Sequence, residues 1–295
     1  SWIAARRTRG ALKVRYAVPA AAVLPPRGAA PPFAFSNDGG GTSAAGHVFL
    51  LLPPGTRDYR TRLSWNLSAL PRGSRAASSW GVGNVAASEP LKPAQLRAAY
   101  FMAGAIGVWQ KPAPRGGFFS AWQGKPPFDA AELMRWTGTL HGRYAVFFGQ
   151  KRPPPYGVFL RFNPINAGGG VGLHHSFVTT FGRAGGPGSD PDDLRSTLAH
   201  EMFHTFQPFI EQPAGLESSW FGEGLATFYQ ARLPLRFGMI QPQAFLDNLN
   251  FHAGRYYTSA MASAPNSEVP KRFWADTRIR TLPYERSLEK LPVEL

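Results

Sequence analysis

The chain has no cysteine among its 295 residues. Disulfide staples and thiolate ligands are therefore both excluded, and any metal site must be built from nitrogen and oxygen. Long apolar runs are missing too, since nothing approaches the roughly twenty residues of a membrane span. No membrane span is expected. The segment 17–24, behind Arg6, Arg7 and Arg9, is too short and too proline-flanked for a signal peptide. Ser1 stands where an initiator methionine would, which fits a leader already removed. The compartment stays open on this reading, with an extracytoplasmic location favoured over a cytoplasmic one.

Acidic residues are scarce, with 18 Asp and Glu against 32 Lys and Arg, a formal charge of +14. Such a balance would suit acidic partners, a negatively charged cell surface or nucleic acid. The arginines are scattered, however, and neither a basic helix nor a nucleic-acid motif accompanies them. A solvated basic surface is the better reading, and no nucleic-acid partner is expected.

With 43% hydrophobic residues the chain can bury two modest cores. Alternation over residues 12–18 and 62–67 predicts two half-buried antiparallel strands. Between them the Pro- and Gly-rich stretch 25–46 predicts a long loop broken by Phe33-Ala34-Phe35, followed by a buried strand over 48–52. Residues 96–108 are apolar enough for a helix, but Gly104 and Gly107 leave a strand-and-turn reading open. The breakers of 111–127 predict a loop and a domain boundary. Beyond it a helix is expected from Phe128-Asp129 to Leu140, then strands over 144–148, 156–162 and 174–181. The expected organisation is an N-terminal β-domain over 1–125 and a second domain over 126–295, in an α+β fold.

His200-Glu201-Met202-Phe203-His204 reads H-E-x-x-H. Residues four apart lie one above the other on a helix, so both imidazoles can reach one metal ion while Glu201 points at the attacking water. Asp190 suits the N-cap, Pro191 the first turn, and Asp192 and Asp193 the positive helix end. Leu194, Leu198 and Met202 recur at i, i+4 and i+8 as a core stripe, and Pro208 marks the expected end. Eighteen residues separate His204 from Glu223, enough for a turn and a second, antiparallel helix that closes the site with a carboxylate. Gly222 and Gly224 beside it suggest close helix packing. No third histidine follows within 205–210, which favours the carboxylate class. The plainer alternative is a pair of ordinary helix histidines.

The motifs His200-Glu201-x-x-His204 and Trp220-x-x-Glu223-Gly224-x-Ala226 resemble the two zinc segments of the glycyl aminopeptidase family of gluzincin metallopeptidases. Gly169-Gly170-x-Gly172-Leu173-His174-His175-Ser176 is similar to that family's glycine-rich substrate strand. Residues 12–18 and Pro126-Pro127-Phe128-Asp129 match as well. The resemblance implies a thermolysin-like catalytic domain behind the N-terminal antiparallel β-domain. It implies one Zn2+ per chain held by His200, His204 and Glu223, with Glu201 as general base and a peptide substrate near Gly172, His174 and His175. Leu282-Pro283-Tyr284-Glu285-Arg286 looks like the segment in which the family places an oxyanion-stabilising tyrosine, which would make Tyr284 catalytic. Tyr256 and Tyr257 compete for that role.

The chain departs from the family pattern where Gly-Leu-Glu-His is usual, because His174 replaces the glutamate that helps to hold a free amino group. The simpler reading of His174 and His175 is a strand pair pointing to opposite faces. The chain also ends eleven residues after Tyr284, short of the helical region the family continues into. The expected function is zinc-dependent peptide hydrolysis as an aminopeptidase. The alternative is a non-catalytic or endopeptidase-like relative that binds peptides or an acidic surface.

Overall fold

A computed structural model describes residues 10, 12–19, 35–110, 117–151, 155–207, 220–260 and 262–264. It is an α+β architecture of three layers: an antiparallel sheet, a mixed sheet and a set of helices.

The first sheet has the order β1-β2-β7-β4-β5 and is antiparallel throughout. Its strands are β1 (Ser36–Asp38), β2 (Gly41–Ala45), β4 (Arg75–Ser78), β5 (Gly81–Val82) and β7 (Tyr100–Gly104). A small ladder of β3 (Arg62–Leu63) with β6 (Val85–Ala86) stands beside it. Two short helices, α1 (Gly46–Phe49) and α2 (Pro93–Arg97), complete this part.

The second sheet has the order β11-β12-β10-β9-β8. Strands β9 (Phe118–Gln123), β10 (Tyr156–Phe162) and β12 (Ser176–Phe181) run parallel, and the two edges, β8 (Ile106–Gln110) and β11 (Gly170–Leu173), run antiparallel to their neighbours. The central strands are covered on both faces, which is why they read as nearly continuous apolar runs. Period-two geometry divides their side chains. Val158, Leu160, Phe177 and Phe181 join the core beneath the helices, whereas Phe119, Ala121, Phe159 and Val178 pack with Ala45, Ala77, Tyr100 and Met102 of the first sheet.

A buried polar network links the two sheets. Gln123 Nε2 faces the carbonyls of Ser36, Asp38 and Gly41 at 3.2, 3.1 and 2.8 Å, and Gln123 Oε1 accepts from the Ser43 hydroxyl. Tyr100 donates its hydroxyl to Ser43 Oγ at 3.0 Å while accepting from the guanidinium of Arg161 at 3.2 Å. Arg161 is 1% exposed, so its charge is held inside by hydrogen bonding, as a buried cation requires.

The helical layer comprises α3 (Ala130–Phe147), α4 (Pro191–Phe206), α5 (Leu225–Arg236) and α6 (Pro242–Tyr257). Asp129 caps α3 by accepting from the Glu132 amide at 2.9 Å, and Asp190 caps α4 by accepting from the Asp192 amide at 2.8 Å. Leu194, Leu198 and Met202 are buried as the stripe predicts; each contributes on the order of 1.5–3 kcal/mol of apolar burial. Arg195 of α4 reaches both Glu132 oxygens on α3, at 3.0 and 2.8 Å, and stacks on Trp136.

Several sequence expectations give way. Residues 12–18 form no strand, and Leu12 and Val14 are exposed, because alternation has no partner strand to pair with among the described residues. The predicted loop of 25–46 contains the hairpin β1-β2, turned at Gly39 and Gly40 with positive φ. The predicted strand over 48–52 does not form: residues 48–49 end the helical turn α1, started where the Gly46 amide donates to Ala99 O, and 50–52 are irregular. Only the first residues of the predicted strand over 62–67 pair, as β3. Over 96–108 the strand-and-turn alternative describes β7 and β8 well.

The predicted loop over 111–127 holds β9, since its breakers sit outside 118–123 rather than within it. The second sheet thus begins at Ile106, and the division expected at residue 125 runs through it. The helix expected to end at Leu140 continues through the predicted strand of 144–148 to Phe147. Tyr144, Leu140 and Leu133 share its buried face, so helical burial overrides the short β-like pattern.

Candidate metal centre

Helix α4 carries His200 and His204 on the face turned away from its core stripe. Their ring centroids are 5.1 Å apart with planes at 82°. The chain returns through a wide helical turn, Trp220–Gly224, which delivers Glu223 and leads into α5. Glu223 Oε2 lies 3.0 Å from His200 Nε2 and 3.5 Å from His204 Nε2. One donor atom from each of the three residues falls within a mutual 4.8 Å. Gly222 serves the approach differently from expectation, since an added Cβ there would meet nothing within 4 Å.

The remaining imidazole nitrogens are also engaged. His200 Nδ1 stands 2.9 Å from Gln230 Oε1, and His204 Nδ1 stands 3.3 Å from Gln207 Oε1. Amide oxygens only accept, so in the tautomer able to bind a metal each ring carries its proton on Nδ1 toward its amide partner and leaves Nε2 free at the point shared with Glu223. Two imidazole nitrogens and one carboxylate oxygen, with outer partners already in place, make a donor set that would suit zinc.

Electrostatics agree with a shared centre. Burial pushes the Glu223 carboxyl up, but hydrogen bonds and charge from His200 and His204 overcome this and hold it well below the usual carboxylate range. For His204 burial favours the neutral ring, yet Glu223, Glu201 and Gln207 together raise its pKa. Burial raises the Glu201 carboxyl; the two histidines pull it down and Glu223 pushes it up again. A desolvated carboxyl with a raised pKa beside a metal site is suited to taking and returning a proton.

The edge strand β11 borders this centre. A Cβ built on Gly172 would lie 3.9 Å from Glu201 Oε2, whereas one on Gly170 would collide with the ring of Phe177. His174 and His175 follow at the β11-β12 turn, where His175 adopts a positive φ of 47° and the two ring centroids are 4.2 Å apart. His174 also rests against Trp80 of the first sheet, at 6.2 Å, and its amide donates to Ala98 O. Burial, then the charge of His175, lowers the His174 pKa to about 4. Burial lowers His175 too, against an upward pull from Glu89. Tyr284 lies outside the described residues. Tyr256 and Tyr257 end α6, with Tyr257 largely exposed.

Gln230, Gln207 and His252 were not anticipated. Gln230 follows Glu223 by seven residues, two helical turns, and that spacing was the available signal. Gln207 and His252 had none, because their roles depend on where separate segments meet.

No curated protein matches the chain. The family model of the M61 glycyl aminopeptidases matches residues 193–277, the stretch holding all three candidate ligands. Among solved structures, an aminopeptidase N family protein from Idiomarina loihiensis is similar over 87% of this chain, with 16% identity and a TM-score of 0.60. The match covers 49% of that protein, so this chain spans about half its length. An M1 zinc metallopeptidase from Deinococcus radiodurans matches 92% of this chain and 68% of its own, at 15% identity and a TM-score of 0.48. Yeast LTA4 hydrolase in complex with bestatin matches 75% of this chain and 35% of its own, at 14% identity and a TM-score of 0.45. The resemblance read from the motifs is borne out to this extent: residues 193–277 match the M61 glycyl aminopeptidase model, and the fold is like that of an aminopeptidase N family protein.

Proposed function

We propose that the protein hydrolyses peptide bonds with one zinc ion per chain, acting as an aminopeptidase. The observation that carries this reading is the meeting of His200, His204 and Glu223 at one point, with Glu201 on the same helix and β11, the edge strand of the second sheet among the described residues, beside it. A zinc ion held by His200, His204 and Glu223 would supply Lewis acidity at this point.

The chain's own residues supply the rest. Glu201, held in a desolvated position, accepts the proton of the attacking water and returns it to the departing amine. The outer edge of β11, unpaired among the described residues, offers backbone groups to an extended peptide, and Gly172 leaves room for its main chain to pass close to Glu201. His174 and His175 close one end of this path. Tyr284 is assigned to the oxyanion on the family resemblance alone.

The replacement of a carboxylate by His174 favours a second reading, a peptide-binding or endopeptidase-like relative, because a neutral imidazole gives a free ammonium no opposite charge. Peptides with free and with blocked amino termini discriminate these readings. Zinc-dependent cleavage restricted to free termini, lost on Glu201→Gln with zinc retained, is the expected result. Equal cleavage of both peptides would identify an endopeptidase, and binding without turnover would remove the enzyme reading.

A further inference from the structure

Gln230 is 9% exposed and lies between two histidines of different helices. Its Oε1 meets His200 Nδ1 on α4 at 2.9 Å, and its Nε2 stands 3.4 Å from His252 Nε2 on α6. The contacts admit two patterns, one for each orientation of the amide, and in the first its oxygen faces His200. An amide nitrogen only donates, so His252 Nε2 must accept and carry its proton on Nδ1. The amide oxygen only accepts, so His200 must be protonated on Nδ1 and keep its Nε2 lone pair free.

Turning the amide over would reverse every assignment. Its nitrogen would then face His200, whose proton would move to Nε2, the atom 3.0 Å from Glu223. A ring protonated there has no lone pair for a metal. Only the first pattern leaves His200 Nε2 free for a metal, and it requires a neutral His252 that accepts at Nε2; burial, with the charges of Arg255 and His200, lowers the His252 pKa to about 4, which keeps that ring neutral.

We propose that Gln230 and His252 are positioning residues that select the metal-binding tautomer of His200, so that α6 sets zinc affinity without supplying a ligand. The inference rests on the zinc reading of the site. Its test is chelator competition for zinc by the parent, Gln230→Leu, His252→Phe and His252→Gln, with 15N NMR of the His200 ring in the metal-free parent. The two apolar variants should bind zinc roughly 10–100-fold more weakly. His252→Gln, which can present a carbonyl oxygen to the Gln230 amide, should recover most of the loss. The parent spectrum should show His200 protonated on Nδ1. Zinc affinity within twofold of the parent in both apolar variants, or equal weakening in His252→Gln and His252→Phe, would overturn the proposal. So would an Nε2-protonated His200 in the parent, a result that needs no variant to fold. A parent that binds no zinc at all would overturn the zinc reading together with this one.

Discussion

Two histidine pairs, one on a helix and one at a strand turn, behave in opposite ways. His200 and His204, four apart on α4, converge on one carboxylate, and His204 is drawn toward its charged form. His174 and His175, adjacent at a strand turn, also bring their rings together, but burial holds both toward the neutral form. Helical spacing aligns donor atoms along one face, whereas neighbours at a turn offer no common third ligand. The presence of Glu223 beside one pair makes the difference.

The largest way to break the contrast is to remove the shared carboxylate. Glu223→Gln should weaken zinc by more than the roughly 10–100-fold expected for an outer partner, as read by chelator competition, while changes at His174 or His175 should leave zinc binding intact. A smaller effect separates two glycines of β11. Gly170→Ala forces its methyl group into Phe177 and should lower stability by about 1–3 kcal/mol in denaturant unfolding. Gly172→Ala has room and should leave stability unchanged, so any loss of peptide cleavage in that variant reports on the path beside Glu201.

The smallest effect concerns pH. The unfolded His174 ring takes up a proton near pH 6.5, whereas the folded one resists until about pH 4. Its contribution to stability is therefore complete above pH 6.5 and is lost as the pH falls from there toward 4. The unfolding temperature of His174→Gln should fall less steeply across that window than that of the parent. Parallel slopes would show that His174 is solvated.

Reading the sequence was most successful where local chemistry and tertiary packing agree. The cap at Asp190, the stripe through Leu194, Leu198 and Met202, and the H-E-x-x-H spacing are all written within one helix. Legibility failed where pairing is non-local. Strands β1 and β2 were hidden in a Gly-rich stretch because hairpin turns consume the same residues as loops. The 12–18 segment has perfect alternation but no partner strand among the described residues. Tyr144 looked like part of a strand until its burial against Phe148 and Phe206 made it helical. Gln230 and His252 become visible only when α4, α5 and α6 are brought together.

The most direct test of the metal centre is zinc content per purified chain, measured in the parent, in His204→Ala and in His174→Ala. The expected values are one zinc per chain in the parent and in His174→Ala, and none retained by His204→Ala. A parent that stays zinc-free after zinc is supplied, or a His204→Ala chain that keeps a full equivalent, would contradict the assignment of this centre.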